Sequence, residues 1–123
     1  MIHVHDHQII SYSVHLEKKT INLQTQSQSG GSLHIVFSHV LAHLFENHLP
    51  GSIILDIEKS NIELFLHENK ELLEENKDYS WPIDYNELNE LKVRLIEEEY
   101  NYYILSASYG MSGWVLAKDV DLL

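Results

Sequence analysis

Nine histidines in 123 residues are the side chains here best suited to chemistry near neutral pH, since imidazole both titrates there and ligates transition metals. Two groups have suggestive spacing. In the run His3-Val4-His5-Asp6-His7, extended backbone would send all three imidazoles to one side, as a metal site needs. His39 and His43 stand four apart, as in a helical His pair, with His48 nearby. A zinc protease would carry its general base between them as a Glu at position 40, but Val40 stands there. That reading fails, and what remains is a metal site completed by a carboxylate such as Glu46. The plainer alternatives are adventitious metal binding by a terminal segment and ordinary histidines beside a turn.

The first His run is similar to the His-x-His-x-Asp-His motif of metallo-β-lactamase-like hydrolases but is one residue shorter, and that family's Gly-rich and distal His segments are missing. Ser106, Ser108 and Ser112 lie near the chain's last glycines without a Gly-x-Ser-x-Gly elbow, so a turn is the better reading than a nucleophile loop. Neither Gly30-Gly31 nor 110–113 has a phosphate-cradling pattern. Runs such as Glu74-Glu75 and Glu97-Glu98-Glu99 lack the apolar setting that raises one carboxyl pKa for acid–base work. With no cysteine, disulfides, thiolate zinc sites and cysteine nucleophiles are excluded. No cofactor is expected.

Carboxylates dominate the charge. Nineteen acidic against eight basic residues give a formal charge of −11, which disfavours nucleic acid and anionic membranes as partners. Between Asp56 and Asn101, fourteen carboxylates face five cations, so this stretch carries nine of the eleven net negative charges. A one-signed field speeds encounter with a basic partner; a solvated helix exterior has the same composition. Length and a 44% hydrophobic content predict one domain, 1–123, with a real core. No leader or membrane-spanning run is read, which makes the cytoplasm the default location.

The elements that must position these groups follow from periodicity. Alternation predicts strands at 7–15, 20–25 and 32–40, and the apolar run at 52–58 predicts a central strand buried on both faces. Val40, Leu41, Leu44 and Phe45 suggest a short helix or turn within 39–48. Ser60 with Glu63, and Asp84 with Glu87, read as capping boxes opening two helices. Their apolar stripes are Ile62, Phe65, Leu66, Leu72 and Leu73 in the first, and Leu88, Leu91, Leu95 and Ile96 in the second. Strands at 100–108 and 114–118 close a final hairpin. The expected fold is α+β: an antiparallel sheet of about six strands with two amphipathic helices packed on one face.

Trp81, Tyr85, Tyr100, Tyr102, Tyr103, Tyr109 and Trp114 crowd the second half beside the acidic helices. About two-thirds of these rings are expected inside the core; the rest would serve as interface anchors. The segment Tyr79-Ser80-Trp81-Pro82-Ile83, followed after an acidic helix by 108–116 (Ser108-Tyr109-Gly110-Met111-Ser112-Gly113-Trp114-Val115-Leu116), resembles the small acidic immunity-type proteins encoded beside polymorphic, contact-dependent toxins of Gram-positive bacteria. That resemblance implies a cytoplasmic, non-catalytic binder that occludes a toxin domain, often a basic nuclease. The residues themselves point to the same class, an acidic protein that docks a basic protein. Glu71, Glu74, Glu75, Asp78, Glu97 and Glu98 would be its electrostatic contacts and Tyr85 or Tyr109 its anchors. The alternatives are a small metal-assisted hydrolase using His3, His5, His7 or His39, His43, and a structural homo-oligomer pairing exposed sheet edges.

Overall fold

The computed structural model describes residues 4–123. Eight strands form one antiparallel sheet: β1 (Gln8–His15), β2 (Thr20–Gln26), β3 (Ser32–Ser38), β4 (Ala42–Glu46), β5 (Ile53–Ser60), β6 (Asn101–Tyr109), β7 (Ser112–Ala117) and β8 (Asp119–Leu122). Three helices, α1 (Ile62–Glu68), α2 (Lys70–Asn76) and α3 (Leu88–Glu97), fall between β5 and β6, with a 3-10 turn at Lys77–Tyr79. The α+β class is the one the sequence predicts, but six strands is an undercount. The missing two are continuations. β4 extends the run of β3 past a break at 39–41, where His39 takes a positive φ of 53°, and β8 extends β7 past Lys118. The region expected to be a short helix or turn within 39–48 therefore holds no helix: a break at 39–41 leads into the strand β4 (Ala42–Glu46).

The strand order is β4-β7-β6-β5-β1-β2-β3-β8. Because β3 pairs with β8 and β4 with β7, the two ends of this order are joined through the chain itself, and the sheet closes into a barrel. Lys118 N–H to Ser38 C=O (3.3 Å) and Leu41 N–H to Leu116 C=O (2.8 Å) carry the ladder across both breaks. Closure is thinnest between β1 and β5, where Gln8 and Ile53 are the one register pair. Hydrogen bonds from Ile9 N–H to Ser52 C=O and from Asp6 N–H to Ile54 C=O (2.8 and 2.9 Å) reinforce it.

Strand alternation sorts side chains to the two sides of this wall. Ile9, Ile21, Leu23, Ile35, Phe37, Ile54, Ile57, Tyr103, Leu105, Val115 and Ala117 fill the interior, with Val4 buried among them. Ala42, Tyr102, Trp114 and Leu116 point outward and meet Ile62, Phe65, Leu73, Leu91 and Leu95 of the helices. The strand buried on both faces is thus β7, not β5, whose Leu55 is exposed. Helices of seven and ten residues are too short to persist alone. The outer barrel face holds them, each fully buried Phe or Leu contributing about 1.5–3 kcal/mol.

Helix starts differ from the sequence reading by one to three residues. Ser60 ends β5, and Asn61 caps α1 by accepting Leu64 N–H at 2.8 Å. Asp84 caps nothing; α3 opens after Glu87, and Glu90 accepts Asn86 N–H at 3.1 Å. The first predicted helix is broken in two at Asn69, whose side chain donates to Phe65 C=O (3.0 Å) and to the Tyr102 hydroxyl (3.2 Å). An amide that competes for backbone acceptors interrupts the helical ladder there.

Gly113, at φ 155°, lies where any Cβ would collide with the Leu44 carbonyl of β4, whereas Gly30, at φ 93°, faces open space. Both substitutions by alanine strain the backbone, but one also forces β4 from β7. Urea unfolding should show Gly113→Ala losing more than about 2 kcal/mol and Gly30→Ala about 1 kcal/mol. Equal losses would mean that β4 yields freely.

Candidate functional site

The acidic residues expected to meet a partner lie on the outside of the helical layer. Glu71, Glu74 and Glu75 are exposed on α2, Asp78 is exposed on the 3-10 turn, and Glu97 and Glu98 are exposed at the end of α3. Arg94 reaches Glu98 at 3.5 Å; the other five form no ion pair with a described residue. They are two groups, not one. α2 packs beside the residues before α3, with Tyr85 donating to Leu73 C=O (3.4 Å) and Lys77 to Asn86 C=O. Glu97 and Glu98 lie at the other end of α3, roughly 15 Å along its axis.

The two expected anchors separate as well. Tyr109 is 52% exposed at the end of β6, whereas Tyr85 is 6% exposed and packs in the helical core. Tyr85 is therefore a structural ring rather than a surface anchor, and burial followed by the Glu74 charge raises its phenol pKa. Trp114, Tyr102 and Tyr103 are core residues too, with Trp81 packed on Trp114 at 6.0 Å between centroids.

The histidine groups do not assemble as the spacing suggested. His3 lies outside the described residues. Asp6 has φ 64°, so His5 and His7 flank a turn and not an extended run. His5 Nδ1 bonds Leu55 C=O (2.9 Å) and His7 Nδ1 bonds Thr25 Oγ1 (3.2 Å). His39 sits in the break before β4, 3.4 Å from Asp119, while His43 is on the strand against Phe45. No helix presents them together, and among the described residues no three His, Asp or Glu side chains converge to hold a metal.

A feature the sequence reading did not single out lies where the helical cover stops. Register places Tyr102, Leu116 and Ala42 in one row across β6, β7 and β4, and Ile104, Trp114 and Leu44 in the next. Beyond them come Ser106, Ser112 and Glu46 on the same outward side. The first row is buried under the helices, whereas Ile104 and Leu44 of the second are part exposed. What remains is a groove of about 510 Å³ with Glu46 and Glu68 on its margin and Trp114, Ile104 and Leu44 in its floor. Tyr102 Oη donates to Glu68 Oε1 at 3.0 Å while accepting from Asn69. Burial above all holds the Tyr102 phenol up at about 12; the Asn69 bond opposes this, and the bond to Glu68 and its charge add to it. The readable signal was the outward set Tyr102, Ile104, Ser106 facing Ser112, Trp114, Leu116. That set forms a surface only because β4 lies beside β7, a pairing distant in sequence.

No family model, curated protein or solved structure matches the chain. The fold and the site therefore define only a class: a small antiparallel barrel with one helical flank, acidic outside. No helix among the described residues is long and apolar enough to cross a membrane.

Two titrations test this packing. A phenol pKa raised from 10 to about 12 contributes stability that is whole below pH 10 and is lost as pH rises toward 12. Tyr102→Phe should be about 1–2 kcal/mol less stable at pH 8, because Glu68 and Asn69 lose a partner, yet decline less steeply above pH 10. Parallel alkaline curves for the two proteins would contradict the buried phenol. Burial lowers His43 below its ordinary 6.5, so its contribution is complete above pH 6.5 and is lost as pH falls. His43→Gln should flatten the acid limb of chemical unfolding, and an unchanged limb would count against burial of this ring.

Proposed function

We propose that this chain is a non-enzymatic binding protein whose acidic helical flank docks a basic protein and occludes its functional cleft, the role of an immunity-type inhibitor. The observation that carries the reading is the state of its carboxylates. Glu71, Glu74, Glu75, Asp78 and Glu97 are exposed and without an ion-pair partner among the described residues. Glu97, Glu98 and Glu99 end or follow α3, where the helix dipole makes negative charge unfavourable. An arrangement that costs the free fold stability is accounted for when a cationic surface completes it. Association is then steered by charge, with the carboxylates standing in the places a phosphate backbone would take on a nuclease.

The test compares the protein with its Glu71→Lys, Glu74→Lys, Glu75→Lys variant, each immobilised untagged and exposed to lysate of the producing organism. The unaltered protein should retain a basic protein that is released as salt rises, and the variant should not retain it. With that partner purified, charge reversal should slow association roughly 10–100-fold at low salt and less than about twofold at high salt. Retention of no basic protein, or equal retention by both forms, would overturn the reading.

A further inference from the structure

We propose that the groove at the end of the helical layer is a socket for a single arginine side chain of the basic partner; this rests on the reading above and assigns that partner's recognition element. Four observations converge on it. Glu46 and Glu68 put two carboxylates on the groove's margin, and no Lys or Arg among the described residues lines it. Its floor is apolar, with Ile104 and Leu44 part exposed around the edge of the buried Trp114, a surface against which the methylene stem of an arginine packs. Several of the polar groups around the floor offer free acceptors, beside the Ser106 and Ser112 hydroxyls, which can donate or accept. Glu46 makes no ion pair with a described residue, and the Asn69 amide spends its N–H groups on Phe65 C=O and the Tyr102 hydroxyl, leaving its oxygen as an acceptor.

The size is also apt. About 510 Å³ lies within the roughly 300–1,000 Å³ of ligand clefts, too open for a bare ion and suited to a side chain inserted from a second molecule. No group of three His, Asp or Glu side chains among the described residues converges here to hold a divalent cation. An anion would meet two negative charges. Between the two cationic side chains, the planar fork of arginine presents several N–H donors in fixed directions and can meet carboxylates on both margins at once, which the point charge of an ammonium does less well.

The Tyr102 hydrogen bond orients the socket. By donating to Glu68 Oε1, Tyr102 fixes the carboxylate and leaves Glu68 Oε2 to accept from a guanidinium. Glu46, on the last residue of β4 opposite Ser112, offers the other acceptor from across the floor.

The experiment titrates acetyl-Gly-Arg-Gly-amide into the isotopically labelled protein and follows the Trp114 indole N–H and the Ser106, Ser112 and Gly113 amides by NMR. The expected result is a saturable shift confined to these signals, weakened about tenfold or more when citrulline, the neutral isostere, replaces arginine, and several-fold when lysine does. Glu46→Gln should weaken binding by roughly tenfold, and so should Glu68→Gln. Because Glu68 accepts the Tyr102 bond and its loss affects folding, Glu46→Gln, with an unchanged melting temperature, is the decisive variant. Equal binding of the citrulline peptide, full affinity in Glu46→Gln, or shifts centred on α2 would overturn the socket. The lysine-triple variant of α2 should bind the tripeptide within about twofold of the unaltered protein. Loss of tripeptide binding with whole-partner capture intact removes the socket alone; saturable tripeptide binding without any captured partner removes the docking reading and keeps the socket.

Discussion

Strand β7 is the constraint on which the rest depends. Its residues alternate between two hydrophobic cores, Val115 and Ala117 toward the barrel interior and Trp114 and Leu116 toward the helices. Both cores therefore share one stretch of backbone, hydrogen-bonded to β6 on one side and β4 on the other. Gly113 lets β4 approach closely at the point where the strand begins. Remove the outward pair and the short helices have nothing to pack on; remove the inward pair and the barrel loses its wall. The groove lies against this strand, with Ser112, Gly113 and Trp114 among its lining residues.

Much of this was legible in the sequence, and for identifiable reasons. The hairpin of β1 and β2, the strand β3 and the final β6–β7 hairpin announced themselves through alternation and turn residues, which are local signals. The helical stripes were largely plain, although Asn69 split the first of them by an interaction with Tyr102, thirty-three residues away in sequence, and Ile96 of the second is half exposed rather than packed. What escaped was non-local. Val40, Leu41, Leu44 and Phe45 have helix-like spacing, but β4 forms because Leu44 and Phe45 pair with Trp114 and Gly113. β8 is only four residues, Asp119-Val120-Asp121-Leu122, too short to stand out by its alternation, and it is fixed by pairing with β3.

The candidate surface was legible in composition and not in geometry. Counting carboxylates found the acidic flank, and the structure leaves most of them solvated. Nothing in the count could separate α2 from the end of α3, or reveal that Tyr85 faces inward while Tyr109 faces out. Histidine spacing misled because it presupposed backbone that does not form: a turn at Asp6 and a break at His39 replace the strand and helix those patterns required. Spacing arguments are only as good as the element beneath them.

The join between β3 and β8 has a kinetic consequence. Ile35 pairs with Leu122 and Ser38 with Asp119, so the eighty residues from 39 to 118 lie inside the loop that this ladder closes. Contacts of such separation form late, because the entropy of bringing the ends together is spent before any of them is made. On a ribosome, the first three strands emerge long before their closing partner, leaving the β3 edge with unpaired backbone groups in the interval. The chain must spend its synthesis as an open sheet, when its edge is most able to pair with another copy or with a chaperone.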